Sequence, residues 1–446
     1  MRKAFLGKDM ATEIDLDDTI SLPKNIFYKS YDGYNIIIAP DYPNWIILNE
    51  KEYKMFEWLK EGLTIRKSLE NYYSRYCKDE DECLAVMTSL LTQIDDVAFS
   101  RDVIPIQEEK IENITKKIHI GTTNGCNMHC PHCYMAAGTQ TLKTIDLEKT
   151  VKLVSEIHEL YGELEIVVSG GEPLTYLNFE SLLKGIKGNH VILFTNGSLI
   201  TDKNIDLICD YCDEVQISFE AVSKEYYGLI RGEQNYEKVL HAIELLKKRG
   251  KRIILAITIL PNTLKDIENN LIDFVKQLQY NNLEVRLNDE IEMTGNALSL
   301  DMSNFDKKYS KGIVINLIRE LEELGCFVKA SDIRNTKYTN CGIGTTVLIN
   351  YDGKIYPCHK ISTYNVDLEL DGKEIIQKFN QLNRDTSNNI IDKCKKCELR
   401  YICSGGCRID NFNATGSMIM PICDKNFKDK QYQKLINDFK MYREIW

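Results

Sequence analysis

Cysteines in spaced groups carry the chemistry of this 446-residue chain, which has fifteen of them. Cys126, Cys130 and Cys133 form a C-x3-C-x2-C loop directly after an apolar, strand-like run at 118–121. Thiolates are the ligands of iron–sulfur clusters, and they also hold zinc. Three of them can hold three corners of a 4Fe–4S cube, which leaves the fourth iron free for another ligand. A zinc site would take a fourth ligand, and His129 or His132 stands ready within the loop. A second array lies toward the C-terminus. Cys341 is followed by eleven residues, Gly353, four residues and Cys358; then come Cys394, Cys397, Cys403 and Cys407 at C-x2-C-x5-C-x3-C, and finally Cys423. A zinc ribbon uses four ligands, and this array has seven. Cys209 and Cys212 sit on a helical stretch with no second pair near them and read as ordinary residues.

Composition sets the frame for these sites. Apolar residues at 43% and charged residues at 27% describe a soluble globular protein, and the length calls for two or three domains. A net charge of −10 argues against nonspecific nucleic-acid binding. No run of about 18 apolar residues and no signal-peptide core appear, so the expectation is a cytoplasmic protein without a membrane partner. In such a compartment many cysteines mean metal sites rather than disulfides.

The elements that must position the first loop run from Lys117 to about Asn296. Strand-like runs at 118–122, 163–168, 190–195, 213–219, 253–259 and 283–288 alternate with helical ones at 146–161, 202–211, 235–249 and 264–280. Such alternation predicts a parallel sheet with right-handed crossovers. Ligands then belong at the strand C-terminal ends. Ser169-Gly170-Gly171-Glu172-Pro173, Phe194-Thr195-Asn196-Gly197, the pair Ser218 and Glu220, and Arg286 with Asn288 all fall there. Upstream, residues 1–20 read as a loose acidic arm. Strands at 25–31 and 34–39 meet at Asp32-Gly33, a third follows at 45–48, and Asn49 with Glu52 forms a capping box for the first of three helices. Residues 101–117 read as a linker, and residues 303–325 as a helical bridge.

The cysteine loop, with Tyr134 directly after its last Cys, resembles that of the radical S-adenosylmethionine (SAM) enzymes. The Gly-Gly-Glu-Pro motif one strand later strengthens the likeness. The resemblance implies an α/β fold, a partial (β/α)6 barrel over 118–300, in which Cys126, Cys130 and Cys133 hold a 4Fe–4S cluster. It implies SAM contacts at Tyr134, Gly170, Gly171, Glu172, Thr195, Asn196, Ser218, Glu220 and Arg231. Glu172 would face the SAM amino group, Ser218 and Glu220 the ribose, and Arg231 the carboxylate. The family commonly has Asp where Glu220 stands. The chemistry implied is one-electron cleavage of SAM to a 5′-deoxyadenosyl radical that abstracts hydrogen from an unactivated carbon.

The seven later cysteines resemble the SPASM pattern, over 341–446 after a bridge at 301–340. That resemblance implies two auxiliary 4Fe–4S clusters, making three in all. Cys341, Cys358 and Cys407 would ligate the first, completed by Cys326 or by a substrate thiolate. Cys394, Cys397, Cys403 and Cys423 would ligate the second. Residues 1–100 resemble the winged-helix peptide-recognition domain of peptide-modifying enzymes, similar to the chaperone of pyrroloquinoline quinone biosynthesis. This implies capture of a leader peptide as an added strand. Together these features resemble SPASM maturases that form sulfur-to-carbon thioethers in ribosomal peptides (the sactipeptide and ranthipeptide type), with a precursor peptide and a reductant such as flavodoxin or ferredoxin as partners. The alternatives are carbon–carbon cross-linking, formylglycine formation, or a non-catalytic iron–sulfur carrier or regulator.

Overall fold

Asp32 and Gly33 adopt φ of 49° and 78°, the left-handed pair that a two-residue hairpin needs. They join β1 (Phe27–Tyr31) to β2 (Tyr34–Ala39), and β3 (Asn44–Leu48) pairs with β2, so the order among the described residues is β1-β2-β3. The Asn49 side chain accepts from Glu52 N while Glu52 accepts from Asn49 N, and this reciprocal cap opens α1 (Glu50–Lys60). Helices α2 (Ile65–Arg75) and α3 (Glu80–Asp96) follow. Successive strand side chains point to opposite faces. Ile37, Ile46 and Leu48 pack against Met55, Phe56 and Leu90, and Ile36, Ile38, Trp45 and Ile47 pack against Tyr432, Leu435 and Ile436 of the last helix, Lys425–Arg443. Burial on both faces is why these strands read as continuous apolar runs.

The computed structural model describes residues 15–41, 43–99, 107–108, 116–288, 291, 293–303, 305–327, 336–360 and 363–443. The chain forms two units. One gathers Met1–Ile111, Ser331–Cys341 and Arg384–Trp446, and the other Glu112–Ala330 and Gly342–Asn383. Residues 342–383, grouped by the sequence with the late cysteines, therefore cluster with the barrel. Residues 15–19 are no loose arm: Asp17 accepts two hydrogen bonds from Arg66, at 2.7 and 3.1 Å, and Thr19 bridges Thr64. Residues 1–14 and most of the 101–117 linker lie outside the described residues, but Gln107–Glu108 pairs in parallel with Thr336–Lys337.

In the second unit, β4 (Lys117–Gly121), β5 (Glu165–Ser169), β6 (His190–Thr195), β7 (Glu214–Ser218), β8 (Arg252–Thr258) and β9 (Leu283–Asn288) are parallel neighbours in sequence order. A seventh strand, β10 (Thr346–Asn350), adds in parallel to β4, and β11 (Lys354–Tyr356) and β12 (Val366–Asp367) extend that edge antiparallel. Helices α4 (Leu147–Tyr161), α5 (Phe179–Gly185), α6 (Ile205–Tyr211), α7 (Lys224–Arg231), α8 (Tyr236–Lys248) and α9 (Leu264–Leu278) bury the outer strand face, and α10 (Lys307–Glu323) is the expected bridge. The other face carries polar side chains. At the strand N-termini these form linked ion pairs: Lys117 with Glu165 at 3.0 Å, and Arg252 with Glu214 at 3.3 Å and Glu284 at 2.5 Å. Among the described residues no helix is long and apolar enough to cross a membrane.

Candidate active site

Two glycines bring the turns after β4 and β5 into contact. A Cβ on Gly171 would sit 2.2 Å from the Gly125 carbonyl oxygen, and Gly170 has φ of 141° with the Thr123 carbonyl in the way of any side chain. Backbone thus passes directly beneath the cysteine loop, a close approach that only glycine permits. Glu172 N donates to Gly125 O at 2.8 Å. Cys126, Cys130 and Cys133 line one cavity of about 680 Å³ above the strand ends. Of the SAM contacts expected from sequence, Tyr134, Gly170, Gly171, Thr195, Asn196, Ser218, Glu220 and Arg231 line the same cavity.

Glu172 is the exception. It is fully buried, and it accepts from Thr195 Oγ1 (2.7 Å), Asn196 N (2.7 Å) and Leu174 N (3.2 Å). Burial raises its carboxyl above the usual range, against those hydrogen bonds. Its carboxylate ties the β5 turn to the β6 turn beneath the cavity wall. Asn196 in turn donates to Asn127 Oδ1 at 2.9 Å, and Asn127 donates to Ser198 at 2.9 Å, which anchors the cysteine loop.

Arg231 and Glu220 form a buried pair. Nε and Nη2 of Arg231 both donate to the carboxylate, the latter at 2.8 Å, and His132 Nε2 stands 3.5 Å from Glu220. Burial alone would raise Glu220, but Arg231 and His132 overcome it and hold it down to about 2. The two side chains expected to meet different parts of SAM are therefore joined to each other on the cavity wall.

Other lining groups gave no sequence signal beyond strand position. His119 pairs with Ser169 Oγ and stacks edge-to-face on Phe194, and burial pushes it down to about 4, so it stays neutral. Arg286 reaches Glu284 at 2.6 Å and Gln216 at 3.2 Å, and Asn288 lies beside it on the same wall.

The thiols themselves are tuned by burial, which raises Cys126 and pushes Cys130 up to about 11. A cationic metal centre reverses that balance and draws out the thiolates. Residues 120–274 match the family model of the radical SAM superfamily. They form a radical SAM domain. Three thiols and polar side chains lining one cavity fit such a domain's 4Fe–4S cluster and SAM. The chain is similar to the antilisterial bacteriocin subtilosin biosynthesis protein AlbA of Bacillus subtilis, 22% identical over 53% of this chain and 53% of that one. It is also similar to the radical SAM cyclopropyl synthase TigE of Paramaledivibacter caminithermalis, 24% identical over 66% of this chain and 67% of that one. In fold it resembles Streptococcus suis SuiB bound to S-adenosylmethionine, with a TM-score of 0.58 and 15% identity over 92% of this chain and 99% of that one.

Away from the radical SAM domain, Cys394, Cys397, Cys403, Cys407 and Cys423 line a second cavity of about 280 Å³. Burial pushes Cys397 up to about 11, and it raises Cys403 against the Gly405 and Gly406 N–H groups. Cys341 is exposed, with its N–H on Asn340 Oδ1 at 2.8 Å. Cys326 is buried in the barrel core, where Val285 N donates to its carbonyl at 2.7 Å. Cys212 is buried too and pushed up to about 12, as suits a residue that only fills space.

Proposed function

We propose that the chain is a maturase of ribosomally made peptides that forms sulfur-to-carbon thioether cross-links with SAM and three 4Fe–4S clusters. Its relation to peptide-modifying radical SAM proteins supports a peptide substrate. SuiB, which shares its fold, has a structure bound to the precursor peptide SuiA. The observation that carries the thioether reading is the position of Cys326. Buried in the barrel core, it suits a space-filling side chain better than a cluster ligand, and in this reading a substrate thiolate completes the set of Cys341, Cys358 and Cys407.

When bound, the cluster and SAM supply a 5′-deoxyadenosyl radical that takes hydrogen from a carbon. The protein's own residues prepare the place. Gly170 and Gly171 let the wall close under the cysteine loop, Glu172 fixes that wall, and Ser218, Glu220 and Arg231 present a charged, preorganised side to the cofactor. In this reading the leader is bound by residues 22–98, whose three-stranded sheet and three helices are the elements a strand-capturing peptide domain uses. The reductant in this reading is a flavodoxin or ferredoxin.

The test is anaerobic co-expression with a short Cys-containing peptide encoded beside the gene, with Cys126→Ala as control. Loss of two hydrogens per bridge, with those cysteines resisting iodoacetamide, is the expected result. Loss of hydrogens with cysteines that still alkylate would show a carbon–carbon bond or desaturation instead.

A further inference from the structure

Arg408 is the bulkiest of the fully buried side chains. It opens the helix Arg408–Thr415, directly after Cys407. Its Nε donates to Thr386 O at 2.6 Å, Nη1 to Gly406 O at 2.6 Å and Nη2 to Ser404 O at 2.8 Å. The turn is shaped around the guanidinium: a Cβ on Gly405 would stand 3.0 Å from Nη1 and 3.1 Å from Nη2, and both Gly405 and Gly406 have positive φ.

Three carbonyls accept from three of its five N–H groups, and none of them balances the charge. A buried cation without a counter-ion is strongly destabilising. Among the described residues no carboxylate forms an ion pair with it; Asp392 pairs with Lys395 and Glu398 with Lys428. Two of its bonds go to backbone beside cysteines, Ser404 O next to Cys403 and Gly406 O next to Cys407, and Cys341 and Cys394 also act on it electrostatically. Neutral thiols cannot balance a guanidinium, but thiolates holding a cluster can. In the cysteine pattern these four divide between the two auxiliary sets, Cys341 and Cys407 in one, Cys394 and Cys403 in the other.

We propose that Arg408 is the shared buried counter-charge of the two auxiliary ligand sets and sets how readily they accept an electron. This rests on the reading that these cysteines hold 4Fe–4S clusters. Taking up one electron adds one negative charge, and a fixed cation in a low-dielectric interior stabilises the reduced form more than the oxidised one. Arg408 is thus a tuning residue that acts through the cysteines and touches no substrate.

The experiment is an anaerobic redox titration of the reconstituted full chain, followed by electron paramagnetic resonance, with Arg408→Lys and Arg408→Gln beside the wild type. Iron content equal to wild type is expected in both. The auxiliary midpoint potentials should fall in Arg408→Gln and fall less in Arg408→Lys, whose ammonium keeps the charge but cannot hold all three carbonyls that centre it. The signal that depends on Cys126 should not move. Cluster loading should also raise thermal stability more in the wild type than in Arg408→Gln, because only the wild-type apoprotein holds the unpaired cation. Unchanged auxiliary potentials in a fully loaded Arg408→Gln would overturn the inference. If Arg408→Gln does not fold, a wild-type potential in Arg408→Lys overturns it. A wild type that binds iron only at the Cys126 loop removes the cluster reading itself, and the inference with it.

Discussion

Glu220 and Arg231 show what a single residue pair does to this site. Cutting Arg231 back to alanine leaves a carboxylate buried and unpaired, and such breaks cost about 3–5 kcal/mol. Glu220 is held at about 2, below its ordinary 4.5. A depressed carboxyl contributes stability that is present above its unfolded value and lost as pH falls through the folded one. The contribution should therefore be intact at neutral pH and disappear between about 4.5 and about 2. Denaturant unfolding of the apoprotein checks this. Glu220→Gln should be weaker than wild type at pH 7, and the gap should narrow steadily as the pH falls below about 4.5 toward about 2. A constant gap across that range would mean that the pair is not what stabilises the wall.

At the scale of elements, the segment after β9 grips the cysteine loop. Asn296 N donates to Cys133 O at 2.9 Å, its Nδ2 to Cys130 O at 3.1 Å, and Thr294 Oγ1 to Tyr134 O at 3.3 Å. Gly295 lies so close that a Cβ would meet Tyr134 O at 2.4 Å, with φ of 56°. Gly295→Ala should push the loop off its place at a strain of roughly 1–3 kcal/mol. Asn296→Ala should cost about 1 kcal/mol, because Cys130 O keeps its bond from Cys133 N. Iron retained after anaerobic reconstitution should fall most in Gly295→Ala and little in Leu298→Ala, whose side chain is 70% exposed. None of this grip was legible in the sequence, because it joins residues some 160 positions apart through backbone carbonyls. The barrel strands were legible to within about two residues, since their apolar runs are long and buried. Helices α5 and α7 were not, being one turn or two with little room for a period to show. Strand β10 joins β4 from more than 200 residues away, and its apolar run carries no sign of that partner. The cysteines announced themselves by spacing alone, whereas Arg408 and the Glu220–Arg231 pair acquire meaning only from burial.

The chain as a whole is not a row of consecutive domains. Its N-terminal sheet and all of the late cysteines except Cys358 share one unit, with Ile36, Ile38 and Ile47 packed on Tyr432, Leu435 and Ile436. Deleting residues 22–98 would strip that core, so a truncated enzyme cannot report on leader binding. The leader must be removed from the peptide instead. If residues 22–98 capture it, leader binding contributes equally to ground state and transition state, and raises the local concentration of the core peptide at the barrel. A leaderless peptide should then show a KM higher by about 10²-fold with kcat nearly unchanged, and added free leader should not restore it, because the tether is what concentrates the core. Steady-state kinetics on both peptides checks this. A kcat that collapses, and recovers when free leader is added, would instead make the leader an effector that switches the barrel into its working state.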